Sequence, residues 1–161
     1  MLLKQIVDTD YVNFKLPSMY LATCFCNWKC CKEANIPVTV CQNHPIAQMP
    51  VIEISADEIL RRYYSNPLSR AFVFAGLEPF LQFDELWTTI DWIRRVGDCF
   101  DPVVIYTGYT PDEITTHIET LRLSKNIIVK FGRYRPNSPS HYDDVLGVTL
   151  ASNNQFAQWI C

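Results

Sequence analysis

Apolar residues recur along this chain with two periods in alternation, a short β-rich run followed by an amphipathic helical stretch. Met19-Tyr-Leu-Ala-Thr23 reads as a strand that runs directly into a cysteine-rich loop. Ser55-Ala-Asp-Glu-Ile59 opens a helix, with Ser55 as N-cap and Glu58 at the capping-box position. That helix should stop near Asn66-Pro67, because the residue before a proline avoids the helical region. Ala71-Phe-Val-Phe-Ala75 reads as a buried strand. Phe83 to Val96 reads as a helix with Leu86, Ile90 and Ile93 on one face, closed by Gly97. Pro102 to Thr107 is the next strand. Thr110-Pro-Asp-Glu-Ile opens the next helix, with proline at its first position and acids in its first turn. Asn126 to Phe131 and Val145 to Leu150 complete the predicted strands.

Strand–helix–strand alternation implies βαβ units, hence an α/β fold with a mostly parallel sheet. Right-handed crossovers then bring the loops that follow the strands to one edge, where such sheets bind ligands. Those loops are the cysteine segment, Gly76-Leu-Glu-Pro79, Gly108-Tyr-Thr110, Gly132-Arg-Tyr134 and Ala151-Ser-Asn-Asn-Gln155. Each unusual motif follows a strand, which points to one shared site. A length of 161 residues fits a single domain. No signal pattern opens the chain, and no apolar run approaches the roughly 18 residues a bilayer span needs. The expectation is a soluble, cytoplasmic protein. A net charge of −3 gives no basic footprint for nucleic acid.

Composition changes this picture at one point. Cys24, Cys26, Cys30, Cys31 and Cys41 fall within eighteen residues, and Cys99 and Cys161 bring the total to seven. An odd count in a reducing compartment argues for metal or redox chemistry over disulfides. Soft thiolates select iron–sulfur clusters, zinc or Cu(I), and the cysteines alone do not separate these. Three cysteines around a cubane cluster leave one iron open to a small molecule, whereas four close the site.

Taken in order, the motifs resemble those of the radical S-adenosylmethionine superfamily, in particular the activating enzyme of anaerobic (class III) ribonucleotide reductase. Phe74-Ala-Gly-Leu-Glu-Pro-Phe-Leu-Gln82 is similar to that family's glycine–acid–proline segment. Val104-Ile-Tyr-Thr-Gly-Tyr109 resembles its Thr–Gly–Tyr strand, Val129-Lys-Phe-Gly-Arg-Tyr134 a strand with a glycine turn, and Ala151-Ser-Asn-Asn-Gln155 its C-terminal signature. The likeness runs from about residue 18 onward. It implies a partial (β/α) barrel with a 4Fe–4S cluster on three cysteines, S-adenosylmethionine chelating the open iron, and a 5′-deoxyadenosyl radical after reductive cleavage. It also implies a protein partner, a glycyl-radical enzyme whose glycine loses the hydrogen. The electron donor would be a flavodoxin or ferredoxin.

The chain departs from that family at two places. The usual CxxxCxxC would put its third cysteine at position 33, which is Glu33; Cys41-Gln-Asn43 looks like the displaced end of the motif. The expected ligands are therefore Cys26, Cys30 and Cys41 in a CxxxC-x10-C arrangement, with Cys31 in place of Cys41 as the alternative. Cys24 is expected behind the cluster or within the strand. The second glycine of the usual pair is Leu77, whose side chain must point away from the cofactor. Gly76 and Glu78 are expected to orient the cofactor's amino end. Thr107 and Tyr109 either touch the cofactor or form an ordinary turn. Lys130 sits in an apolar strand, where an unpaired charge is costly, so it lies either at the barrel mouth or on an edge strand. Arg133 follows Gly132 and is within reach of a carboxylate, though a solvated side chain is the expectation; Asn154 and Gln155 either supply uncharged amides at the cofactor or partner end or cap the C-terminal loop, and Trp28 is expected to shield the cluster. His44, His117 and His141 share no spacing and are read as surface or satisfied residues. Two other functions stay open: a radical enzyme with another target, and a non-catalytic iron–sulfur or zinc module.

Overall fold

The computed structural model describes residues 1–161. Its elements, in chain order, are β1 (Leu2–Asp10), β2 (Ser18–Thr23), α1 (Lys29–Ala34), α2 (His44–Ala47), β3 (Ile52–Glu53), α3 (Ala56–Ser65), β4 (Phe72–Gly76), α4 (Phe83–Arg95), β5 (Val103–Tyr106), α5 (Thr115–Leu121), β6 (Ile127–Phe131), β7 (His141–Asp143), β8 (Val148–Leu150) and β9 (Phe156–Trp159). Strands β2, β4 and β6 are buried along their whole length, which is why they read as mostly apolar runs. They join β5 in a parallel centre, β2-β4-β5-β6, with Tyr20 opposite Val73, Val73 opposite Val104, and Tyr106 opposite Lys130. The full sheet has seven strands in the order β3-β1-β2-β4-β5-β6-β9. Its margins, β3, β1 and β9, are antiparallel to their neighbours.

Period-two alternation divides the sheet's two faces. Met19, Leu21, Phe72, Phe74, Val103, Ile105, Ile127 and Val129 face the helices, packing with Ile59, Leu60 and Tyr63 of α3, Leu86, Ile90 and Ile93 of α4, and Ile118 and Leu121 of α5. Each fully buried aliphatic side chain there stabilises the fold by about 1.5–3 kcal/mol. The opposite face carries smaller residues, Ala22, Ala71, Val73, Ala75, Val104 and Ile128, under Phe14, Leu146 and Leu150. No long helix covers it. The β1–β2 connection and the β7–β8 hairpin do, tied together where the Lys15 N–H donates to the Leu146 carbonyl at 2.7 Å.

The helix ends follow from local chemistry, with two departures from expectation. Ser55 Oγ accepts the Glu58 N–H at 3.1 Å, but the Glu58 carboxylate turns to Arg61 at 2.7 and 2.5 Å, so the capping box is only half made. The Pro111 segment begins as a 3-10 turn, Pro111–Ile114, before α5 starts at Thr115. The Val145–Leu150 run is also not a strand of the main sheet. Only Val148–Leu150 is extended, and it pairs with β7 in a separate hairpin. The position beside β6 belongs to β9. No helix is long and apolar enough to cross a membrane.

Candidate functional site

The carboxyl ends of β2, β4, β5 and β6 open into a cavity of about 350 Å³ on the side of the sheet away from α3, α4 and α5. Its wall includes Cys26, Cys30, Cys41, Gly76, Glu78, Thr107 and Lys130. Seven of the eight residues expected from the sequence therefore meet at one place.

The cysteine loop leaves β2 at Thr23, whose hydroxyl donates to the Ala75 carbonyl at 3.1 Å. Cys26 follows, and the Trp28 N–H donates to its sulfur at 3.3 Å. Trp28 takes the left-handed conformation (φ 57°) at the start of α1 and joins the cavity wall. Cys30 lies in the first turn of α1; Cys41 follows the short 3-10 turn Val38–Val40. The two thiols meet. A hydrogen bond from Cys41 holds Cys30 below the ordinary thiol value, and the same bond pushes Cys41 well up. The side-chain amide of Asn43 donates to the Gly76 carbonyl, and the Glu78 N–H donates to the Phe25 carbonyl at 2.7 Å. The loop is thus sewn to the β4 turn on both sides of the cysteines.

The two other cysteines of the segment stand apart. Cys31 is 2% exposed and outside the cavity wall, although its sulfur is 4.0 Å from that of Cys30. Cys24 is buried, and its N–H donates to Gln82 Oε1 at 2.8 Å while Gln82 reaches the Leu2 carbonyl at 2.9 Å.

Gly76 has φ of +82°, and a Cβ there would stand 2.7 Å from Ala22 Cβ. Its glycine identity therefore follows from the close approach of β2 to the turn. Leu77, expected to point away, is half-buried in the cavity wall.

Glu78 is 7% exposed. Thr107 Oγ1 donates to its Oε1 at 2.7 Å, the Gly108 N–H to its Oε2 at 2.9 Å, and the Phe80 N–H to Oε1 at 3.3 Å. Burial raises its pKa, against the pull of Thr107, the two N–H groups and Lys130. Lys130 is 6% exposed on a strand covered by β9, which removes the edge-strand alternative. Its Nζ donates to the Gly132 carbonyl at 3.0 Å and lies 5.7 Å from the Tyr106 ring centre. Burial lowers its pKa to about 8, with Glu78 acting in the opposite sense.

Asn154 is the expected residue that the first cavity does not include. It lines a neighbouring cavity of about 420 Å³, where its Nδ2 donates to the Arg133 carbonyl at 2.9 Å and its buried Oδ1 has no partner. Gln155 takes its place in the first cavity and caps the loop, donating to the Gly132 carbonyl at 3.2 Å. Arg133 is not solvated. Its side chain is 12% exposed and pairs with Glu33 at 3.0 Å and Glu113 at 2.5 Å, because α1 lies over it. Lys29 joins Glu113 at 2.5 Å, and Asn27 donates to the Tyr109 hydroxyl at 2.8 Å. These contacts clasp the cysteine loop to the turns after β5 and β6.

The lining also holds residues to which the sequence reading gave no role, Asn13, Tyr20, Tyr106 and Thr149. Strand alternation already placed Tyr20 and Tyr106 on the face of Ala22 and Lys130. The covering hairpin had no such signal.

No group of three or more His, Cys, Asp or Glu side chains is spaced for a single metal ion. Cys26, Cys30 and Cys41 do line one cavity, and soft thiolates of this kind suit an iron–sulfur cluster or zinc. Comparison with models of known protein families, with curated proteins and with solved structures finds no match.

Proposed function

We propose that this chain is a radical S-adenosylmethionine enzyme of the glycyl-radical activase type, resembling the activating enzyme of anaerobic ribonucleotide reductase. The observation that carries the reading is the convergence of Cys26, Cys30 and Cys41 with Glu78 and Lys130 on one cavity at the carboxyl ends of the parallel strands. The face of the sheet away from α3, α4 and α5 would be the inner side of a partial barrel. Cys26, Cys30 and Cys41 would hold a 4Fe–4S cluster. When bound and reduced, that cluster supplies the electron that splits S-adenosylmethionine into methionine and a 5′-deoxyadenosyl radical.

The chain's own residues bind and orient. Glu78, held by three donors, presents a fixed acceptor for the cofactor's amino group, and Lys130 offers a cation for its carboxylate. Trp28, Tyr20 and Tyr106 also line the cavity, and their rings would displace water from part of its wall. Phe14 and the β7–β8 hairpin fill the rest of this face, leaving room for one cofactor-sized ligand. A substrate must then be presented from outside, which favours a protein target such as a glycine-bearing segment.

The test is anaerobic reconstitution with iron and sulfide, followed by reduction with S-adenosylmethionine present. The wild type should turn brown and release 5′-deoxyadenosine, and Cys26→Ala should do neither. Cofactor cleavage by Cys26→Ala would sink the proposal.

A further inference from the structure

α1 carries Cys30 yet is hardly packed. It has six residues, too few to stand as a helix alone, and Cys31 is its one buried side chain. The residues at its two ends, Trp28 (φ 57°) and Asn35 (φ 51°), are both left-handed, and Trp28 makes no side-chain cap. Cys30, Glu33 and Ala34 share the cavity of about 420 Å³ with Phe131 of β6 and Phe156 of β9, so on that side α1 adjoins open space. The backbone anchors of the cysteine loop lie elsewhere. The bond between Phe25 and Glu78 sits beside Cys26, and that between Asn43 and Gly76 beside Cys41. Cys30 has no such anchor outside its own helix.

Charge holds α1 instead. Lys29 and Glu33 stand one turn apart and flank the two cysteines of the helix. Arg133 Nε meets Glu33 at 3.0 Å, and its Nη2 meets Glu113 at 2.5 Å. Lys29 Nζ meets the same Glu113 oxygen at 2.5 Å. Glu113 is itself fixed, because the Thr110 N–H donates to its other oxygen at 2.9 Å. The Tyr109 ring lies 5.8 Å from both cations. Arg133 is the one member that touches both carboxylates, and its side chain is 12% exposed, which screens its pairs less than an open surface bridge.

We propose that Arg133 is a positioning residue that latches α1, through Glu33 and Glu113, and so sets where the Cys30 sulfur stands. Release of the latch frees α1 to pivot about Trp28 and Asn35 and withdraws Cys30 from the site, while Cys26 and Cys41 stay with their backbone anchors. The latch belongs to the chain without any bound group. Its consequence for an iron–sulfur cluster, faster loss through the Cys30 corner, rests on the radical-enzyme reading.

The test is pulse alkylation of the reduced, cluster-free protein with N-ethylmaleimide, resolved cysteine by cysteine by peptide mass spectrometry. Arg133→Met should speed labelling of Cys30 about tenfold and leave Cys26 and Cys99 at their wild-type rates. Glu33→Gln, at a half-exposed side chain, should give a smaller rise. Arg133→Lys keeps a cation and should restore part of the protection. Cys30 labelling that ignores Arg133→Met and Glu33→Gln, or a rise shared by Cys26 and Cys99, overturns the latch. After reconstitution to equal iron content, Arg133→Met should lose iron to a chelator about tenfold faster than wild type. Equal loss overturns the latch's hold on the cluster. A wild type that takes up no cluster overturns the enzyme reading and leaves the alkylation to decide the latch.

Discussion

The hydroxyl of Thr107 donates to the carboxylate of Glu78 at 2.7 Å, joining the turn after β5 to the turn after β4 inside a buried wall. Glu78 is thus a structural tie and a candidate cofactor ligand at once. Glu78→Gln puts an amide N–H₂ where donors already converge, leaving at least one of the Thr107, Gly108 and Phe80 donors without an acceptor. The expected loss of stability is about 1–3 kcal/mol by urea unfolding. Glu78→Gln should also abolish any shift of the cluster's spectrum by S-adenosylmethionine, while iron content stays at the wild-type level.

Gly76 tolerates no side chain. Its φ of +82° is left-handed, and a Cβ would meet Ala22 on the neighbouring strand at 2.7 Å. Gly76→Ala should cost more than about 2 kcal/mol, the left-handed penalty alone being roughly 1–2 kcal/mol. Thermal unfolding of the variant reads this, and a change under half a kcal/mol would contradict the packing described here.

Lys130 predicts a pH dependence. Its folded pKa is about 8, below the ordinary 10.5, so between these values the unfolded chain holds the proton more firmly than the folded one. Stability contributed at this site is therefore lowest below about pH 8 and rises as pH climbs toward 10.5. Subtracting the unfolding free energies of Lys130→Met from those of the wild type isolates that slope, since tyrosines and cysteines titrating nearby are common to both. A difference that is flat or falls over this window would contradict the assignment.

The thiols should sort into two groups. Cys26→Ala, Cys30→Ala and Cys41→Ala should each lose bound iron, because all three line the cavity. Cys24→Ala and Cys31→Ala should keep it, because both are buried outside that wall. Iron analysis after anaerobic reconstitution checks the division.

The central strands and the site's outline were legible because both are written locally. β2, β4 and β6 are mostly apolar and wholly buried, and each ends in a motif that the parallel arrangement brings to the same edge. The margins were not legible. β1 mixes Lys4, Gln5 and Asp8 with apolar residues, three of the four residues of β9 are exposed, and an edge strand needs only one good face. The run from Val145 to Leu150 looked like a core strand, yet its apolar residues cover a sheet face from outside rather than joining the ladder. Sequence pattern marks burial and leaves the partner open. The same limit explains Arg133, whose burial depends on α1 lying over it, and Asn154, displaced from the main cavity because Gln155 occupies the wall.

The most direct measurement is the EPR spectrum of the reduced, anaerobically reconstituted protein, with and without S-adenosylmethionine. The account predicts a 4Fe–4S signal that shifts when the cofactor is added, as an open iron held by Cys26, Cys30 and Cys41 requires. A cluster signal that ignores the cofactor, or a colourless zinc protein, would contradict it.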